Sequence, residues 1–117
     1  MLSDRALEYV SHPRNRGELA GADFDGIAGE PGEGPYVHIW LKVYGSVVAQ
    51  ASFETNGCPS SVAAASALCE LARGREMDKL KLLTAEDLVG FLGGLPEGKE
   101  SYAEMAIRAL NVAMESR

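Results

Sequence analysis

Cysteine is scarce: Cys58 and Cys69 are the only two in 117 residues. Two thiols without a secretion signal do not make a disulfide framework. Positive charge is also short, with 11 Lys and Arg against 17 Asp and Glu and a formal charge of −6. The basic residues are scattered. That excludes the clustered positive surface on which phosphate binding rests, so no nucleic-acid partner is expected. No apolar run is long enough to span a bilayer, and Lys42 breaks the longest strand-like stretch. No membrane association is expected either. Met1 to Arg5 lacks an apolar signal core, so the expectation is a cytoplasmic protein. The glycines between Gly29 and Gly34 are not followed by the lysine and helix start of a phosphate loop. No serine–histidine–acid order with a nucleophile turn is present.

Apolar residues make up 46% of the chain, enough for one core, and residues 1–117 read as a single domain. Ser3 is placed to cap a helix from Asp4 to about Ser11, with Ala6, Leu7 and Val10 inward. A short strand fits Phe24 to Ala28. Tyr36 to Tyr44 alternates, with Val37, Ile39, Leu41 and Val43 on one face. Gly45-Ser46 makes a tight turn, and Val47 to Thr55 should return antiparallel with Val47, Ala49, Ala51 and Phe53 on one face.

The second half is helical. Pro59 or Ser60 opens a helix to about Arg73, and Gly74 stops it. Thr84 with Asp87 forms a capping box ahead of Leu88 to Leu92, and Gly93-Gly94 ends that helix. A last helix from about Glu100 to Glu115 buries Tyr102, Met105, Ala106, Ala109, Leu110 and Ala113. Strands followed by helices predict an α+β fold: a small antiparallel sheet of about three strands with helices on one face.

Cys58 sits at the junction of the last strand and the alanine-rich helix. A thiol there faces the free N–H groups and positive dipole end of the helix, which favour thiolate. A small residue merely tucked before a helix would also fit. Cys69 lies eleven positions on, about 16 Å along a helix, among Leu68, Leu71 and Ala72. It reads as an unreactive core thiol. Taken alone, Glu33 reads as a solvated loop acid and Tyr102 as a core aromatic. His12 reads as a capping or surface residue, and His38 as a packed imidazole beside Trp40.

Four segments, in order, resemble the NifU/IscU-type iron–sulfur cluster scaffold family. His12-Pro13-Arg14-Asn15-Arg16-Gly17-Glu18-Leu19 is similar to the family's NPRN-x-G-x-L start. Gly29-Glu30-Pro31 to Gly34 is similar to its first ligand loop, and Phe53 to Ser61 to its second. Leu95-Pro96-Glu97-Gly98-Lys99 is similar to its last loop. The resemblance covers nearly the whole chain and implies the NifU/IscU-like fold. It also implies an iron–sulfur assembly protein rather than an enzyme, partnered by a cysteine desulfurase or a chaperone. Iron or an iron–sulfur cluster is the cofactor implied.

The departures fall on the ligands. The family's first cysteine position reads Glu33, its aspartate Pro35, and its histidine and third cysteine Ser101 and Tyr102. Cys58 is the one thiol retained at a family metal-ligand position, so no stable cluster is expected in one chain. Two other functions stay open. One is a regulatory module that docks to a desulfurase or chaperone without a cluster. The other is a sulfur-transfer protein using Cys58.

Overall fold

The computed structural model describes residues 2–12, 15–56 and 58–116. Helix α1 (Asp4–Ser11) leads into strands β1 (Phe24–Gly29), β2 (Tyr36–Tyr44) and β3 (Val47–Thr55), which form an antiparallel sheet in the order β1-β2-β3. Helix α2 (Pro59–Ala72), the single turn α3 (Met77–Leu80), α4 (Ala85–Phe91) and α5 (Glu100–Met114) follow. The α+β expectation is met. The relation of layers follows from the strand period: Val37, Ile39 and Leu41 point inward and are fully buried, while Lys42 points outward. Helices α2 and α5 cover the inward face.

Helix α2 is buried nearly all round. Val62, Ala64, Ala65, Leu68 and Cys69 face the sheet cluster, whereas Ala63 and Ala67 face a second cluster with Ala6, Tyr9 and Leu92. Its small side chains let it lie between two layers. Helix α5 lies close against β1. A Cβ on Gly26 would stand 2.3 Å from the Ala113 nitrogen and 2.5 Å from the Ala109 oxygen. Glycine on the strand and alanine on the helix together set that spacing.

The caps follow the sequence. Ser3 accepts from the Ala6 N–H and donates to the Leu92 carbonyl, fastening α1 to the end of α4. Thr84 and Asp87 form a reciprocal capping box. Gly74, just past the end of α2, takes φ +85°.

Four details differ from the sequence reading. In β3, Val48 is buried, whereas Val47 and Ala49 are exposed. The ladder slips between Lys42 and Val43, so Val48 rather than Ala49 pairs with Val43 and the inward set changes. In α1, Tyr9 is buried and Leu7 is exposed, because Tyr9 packs edge-on to Phe91 at 5.6 Å. The α3 turn was not foreseen; four residues are too short for a periodic signal. In α5, Ala103 is buried, while Met105 and Tyr102 are only half-buried. The place of Tyr102 is explained by its partner, below.

Candidate functional site

Strand β3 ends at Thr55, which is buried. Its hydroxyl donates to the Tyr36 carbonyl at 2.7 Å and shares a hydrogen bond of 2.6 Å with the Ser61 hydroxyl. The strand end is thereby tied to its neighbour and to the first turn of α2. Asn56 extends the tie. Its amide donates to the Gly34 carbonyl at 2.7 Å and its oxygen accepts from the Tyr36 N–H at 3.3 Å. The β1–β2 loop is thus fastened to the segment that leads to Cys58. Arg16 adds a third fastening, donating to the Thr55 carbonyl at 3.1 Å and pairing with Glu54 at 3.0 Å.

Cys58 is the N-cap residue of α2, extended at φ −67° and ψ 132°, with Pro59 opening the helix. Its carbonyl accepts from the Val62 N–H. The thiol is half-buried. It does not form a standard side-chain cap bond, yet the first-turn N–H groups act on it. Burial alone would push the thiol up. The N–H groups of Ser61 and Ser60, the Tyr102 hydroxyl and the Lys99 ammonium outweigh burial and hold it below the usual thiol range. Tyr102 shifts the other way: its hydrogen bond to Cys58 and the thiolate charge push the phenol up. Of the pair, the sulfur therefore ionises before the phenol.

Tyr102 is placed by the first turn of α5, and Lys99 is that helix's N-cap. Lys99 Nζ lies 5.7 Å from the Tyr102 ring centroid. The start of α5 thus meets the start of α2, and Tyr102 belongs to the Cys58 site rather than to the core. Sequence reading singled out Cys58 and Tyr102 but not Lys99 as a charge acting on the thiol. Its place three residues before Tyr102 was the available signal.

Glu33 lies exposed in the β1–β2 loop, where its N–H donates to the Glu30 carbonyl. Its carboxylate makes no hydrogen bond or ion pair among the described residues. Cys69 is fully buried, and burial first, with Glu70 beside it, pushes its thiol far above the usual range. His12 is the C-cap residue of α1, 3.8 Å from Glu8. His38 bonds Asp25 at 2.8 Å and stacks on Trp40 at 3.7 Å. Among the described residues, no three His, Cys, Asp or Glu side chains gather as a metal site, and no helix is long and apolar enough to cross a membrane.

The donor set fits an iron–sulfur cluster poorly. Such clusters are held mostly by thiolates. This chain brings one thiol and a phenol to the site, and its second thiol is sealed in the core.

Known proteins share this frame. The sequence pattern of the NifU-like N-terminal domain matches residues 1–116. The Archaeoglobus fulgidus iron–sulfur cluster assembly scaffold protein IscU 1 is 32% identical over 97% of this chain and 74% of its own length. The bifunctional protein NifU/MnmA of Rubrobacter xylanophilus is 38% identical over 95% of this chain and 23% of its own length. A NifU-like protein (N-terminal) from Brucella abortus has the same fold, with a TM-score of 0.72 at 19% identity over 97% of this chain and 91% of that one. Thus the chain belongs to the NifU-like N-terminal domain family.

Proposed function

We propose that this protein works in iron–sulfur cluster assembly and that Cys58 is its working thiol. Relatives named as iron–sulfur assembly scaffolds, matched along nearly the whole chain, support the pathway. The observation that carries the site is the convergence on one sulfur of two helix-start N–H groups, the Tyr102 hydroxyl and the Lys99 ammonium. That surrounding favours the nucleophilic form of the thiol. The role is that of a scaffold-family protein rather than an enzyme, in the cytoplasm, with a cysteine desulfurase or assembly chaperone as partner.

The chemistry asked of Cys58 is sulfur acceptance. Its thiolate attacks the outer sulfur of a desulfurase persulfide. The new bond is between Cys58 and that sulfur, the old sulfur–sulfur bond breaks, and the donor cysteine leaves as thiolate. No net oxidation occurs. Tyr102 steadies the attacking thiolate by donating to it. Iron and sulfide are cargo in this reading, and a complete set of thiolate ligands would have to come from more than one chain.

Incubation with a cysteine desulfurase and free cysteine, followed by alkylation and peptide mass analysis, tests the reading. The Cys58 peptide should carry one added sulfur, and Cys58→Ser should carry none. A desulfurase loaded with persulfide that leaves Cys58 unmodified would remove the proposed role.

A further inference from the structure

Two hydroxyls lie sealed on either side of Cys58 in the chain: Thr55 is 3% exposed and Ser61 is 2% exposed. Each hydroxyl carries a single proton, and this fixes the direction of their hydrogen bonds. The Tyr36 carbonyl can only accept, so the Thr55 proton points to it, at 2.7 Å. The 2.6 Å bond between Thr55 and Ser61 is then made with the Ser61 proton. The relay runs one way, from Ser61 through Thr55 to Tyr36.

At this point side chains take over from the sheet. The β2–β3 register sets Val37 against Thr55, and one step further would set Tyr36 against Asn56. The strand ends first. The Tyr36 N–H instead bonds the Asn56 side-chain oxygen at 3.3 Å, and its carbonyl is taken by the Thr55 hydroxyl. Both backbone groups of Tyr36 stay paired, while the chain leaves the ladder and turns toward Cys58. Ser61 holds the other end. It is the third residue of α2, where a backbone N–H has no partner inside the helix. That N–H acts on the Cys58 sulfur, and the hydroxyl of the same residue reaches back to Thr55. The Thr55–Ser61 bond therefore spans six positions with Cys58 midway.

We propose that Thr55 and Ser61 are positioning residues for Cys58: their buried bond fixes the end of β3 and the first turn of α2 in one frame around the sulfur. They act through the backbone and not on the substrate. Their consequence rests on the sulfur-acceptance reading, in which Cys58 must meet an incoming persulfide in line. With the bond cut, the sulfur and the N–H that faces it lose the tie that holds them together. A displacement of about 1 Å near a reacting group can cost up to about a hundredfold in rate.

Single-turnover sulfur transfer from a persulfide-loaded cysteine desulfurase to the full chain tests this, with iodoacetamide labelling of Cys58 alongside. Ser61→Ala removes the outer donor and leaves Thr55 on Tyr36, so the fold should survive. Thr55→Val removes the relay, and Thr55→Ser keeps it. Ser61→Ala and Thr55→Val should each lower the saturating transfer rate about tenfold, leave the half-saturating desulfurase concentration unchanged, and slow labelling severalfold. Thr55→Ser should transfer sulfur like wild type. The double variant Thr55→Val with Ser61→Ala should be no slower than Thr55→Val alone, because both changes act through one bond. The proposal is overturned if Ser61→Ala transfers sulfur and labels at the wild-type rate. It is equally overturned if Thr55→Ser is as slow as Thr55→Val, which would leave the hydroxyls as packing groups. If wild-type Cys58 takes up no sulfur, the sulfur-acceptance reading falls and labelling decides alone: slower labelling of Ser61→Ala upholds the positioning role, and unchanged labelling removes it.

Discussion

Replacing Gly26 by alanine should lower the stability of the fold by about 3 kcal/mol, the upper part of the usual range for overpacking. The added methyl would stand 2.3 Å from the Ala113 nitrogen and 2.5 Å from the Ala109 oxygen. Both atoms are helix backbone, so no rotamer change relieves the clash. Helix α5 would have to lift from β1, opening the packing of Ala109, Leu110 and Ala113. On propensity alone alanine should be the better strand residue, so a loss would report the contact and not the backbone. Gly90→Ala in α4 is the control. Beyond its own helix turn, nothing lies within 4 Å of its added methyl, and removing a helix glycine should gain up to about 1 kcal/mol. Urea melts should show the Gly26 variant with a lower midpoint and an unchanged slope. A midpoint equal to wild type would mean that α5 does not lie where the Gly26 contact places it.

The second large effect is the contrast between the two thiols. Iodoacetamide should label native Cys58 at least about a thousandfold faster than Cys69, because Cys69 reacts only when the fold opens, and the open fraction is on the order of 10⁻³ or less. The pH profile of Cys58 labelling should have its midpoint below that of an ordinary free thiol. Tyr102→Phe should move that midpoint up and slow labelling at neutral pH severalfold, since it removes a donor to the thiolate. Lys99→Gln should act in the same direction but less, its ammonium being exposed and screened.

Stability should follow the two shifts in opposite ways. Cys58 has a lowered value in the fold, so its contribution is present above the unfolded thiol pKa and fades as pH falls through the folded one. Cys69 has a raised value, so its contribution is full below the unfolded pKa and is lost as pH rises above it. Equal labelling of both thiols in the native protein would reduce Cys58 to a packing residue.

Much of this was legible in the chain. The alternation of Val37, Ile39 and Leu41, the cap at Ser3, the box at Thr84 and Asp87, and the stop at Gly74 are local signals, and local geometry obeyed them. The bulge that brings Val48 inward was hidden, because strand alternation carries no mark of an extra residue until the partner strand is known. The place of Tyr102 was hidden for a related reason. Its helical spacing matched a core position, and only the packing of α5 against the start of α2 turns it to Cys58.

Anaerobic reconstitution of the wild-type chain with iron and sulfide tests the central claim, that Cys58 works as a lone thiol, most directly. After desalting, the account predicts no retained sulfide-to-iron absorption in the visible range and far less than stoichiometric iron and sulfide. The double substitution Glu33→Cys with Tyr102→Cys should raise the retained amount, by restoring thiolates at the two family positions. A wild-type protein that stays brown, with near-stoichiometric iron and sulfide bound to the monomer, would contradict the account.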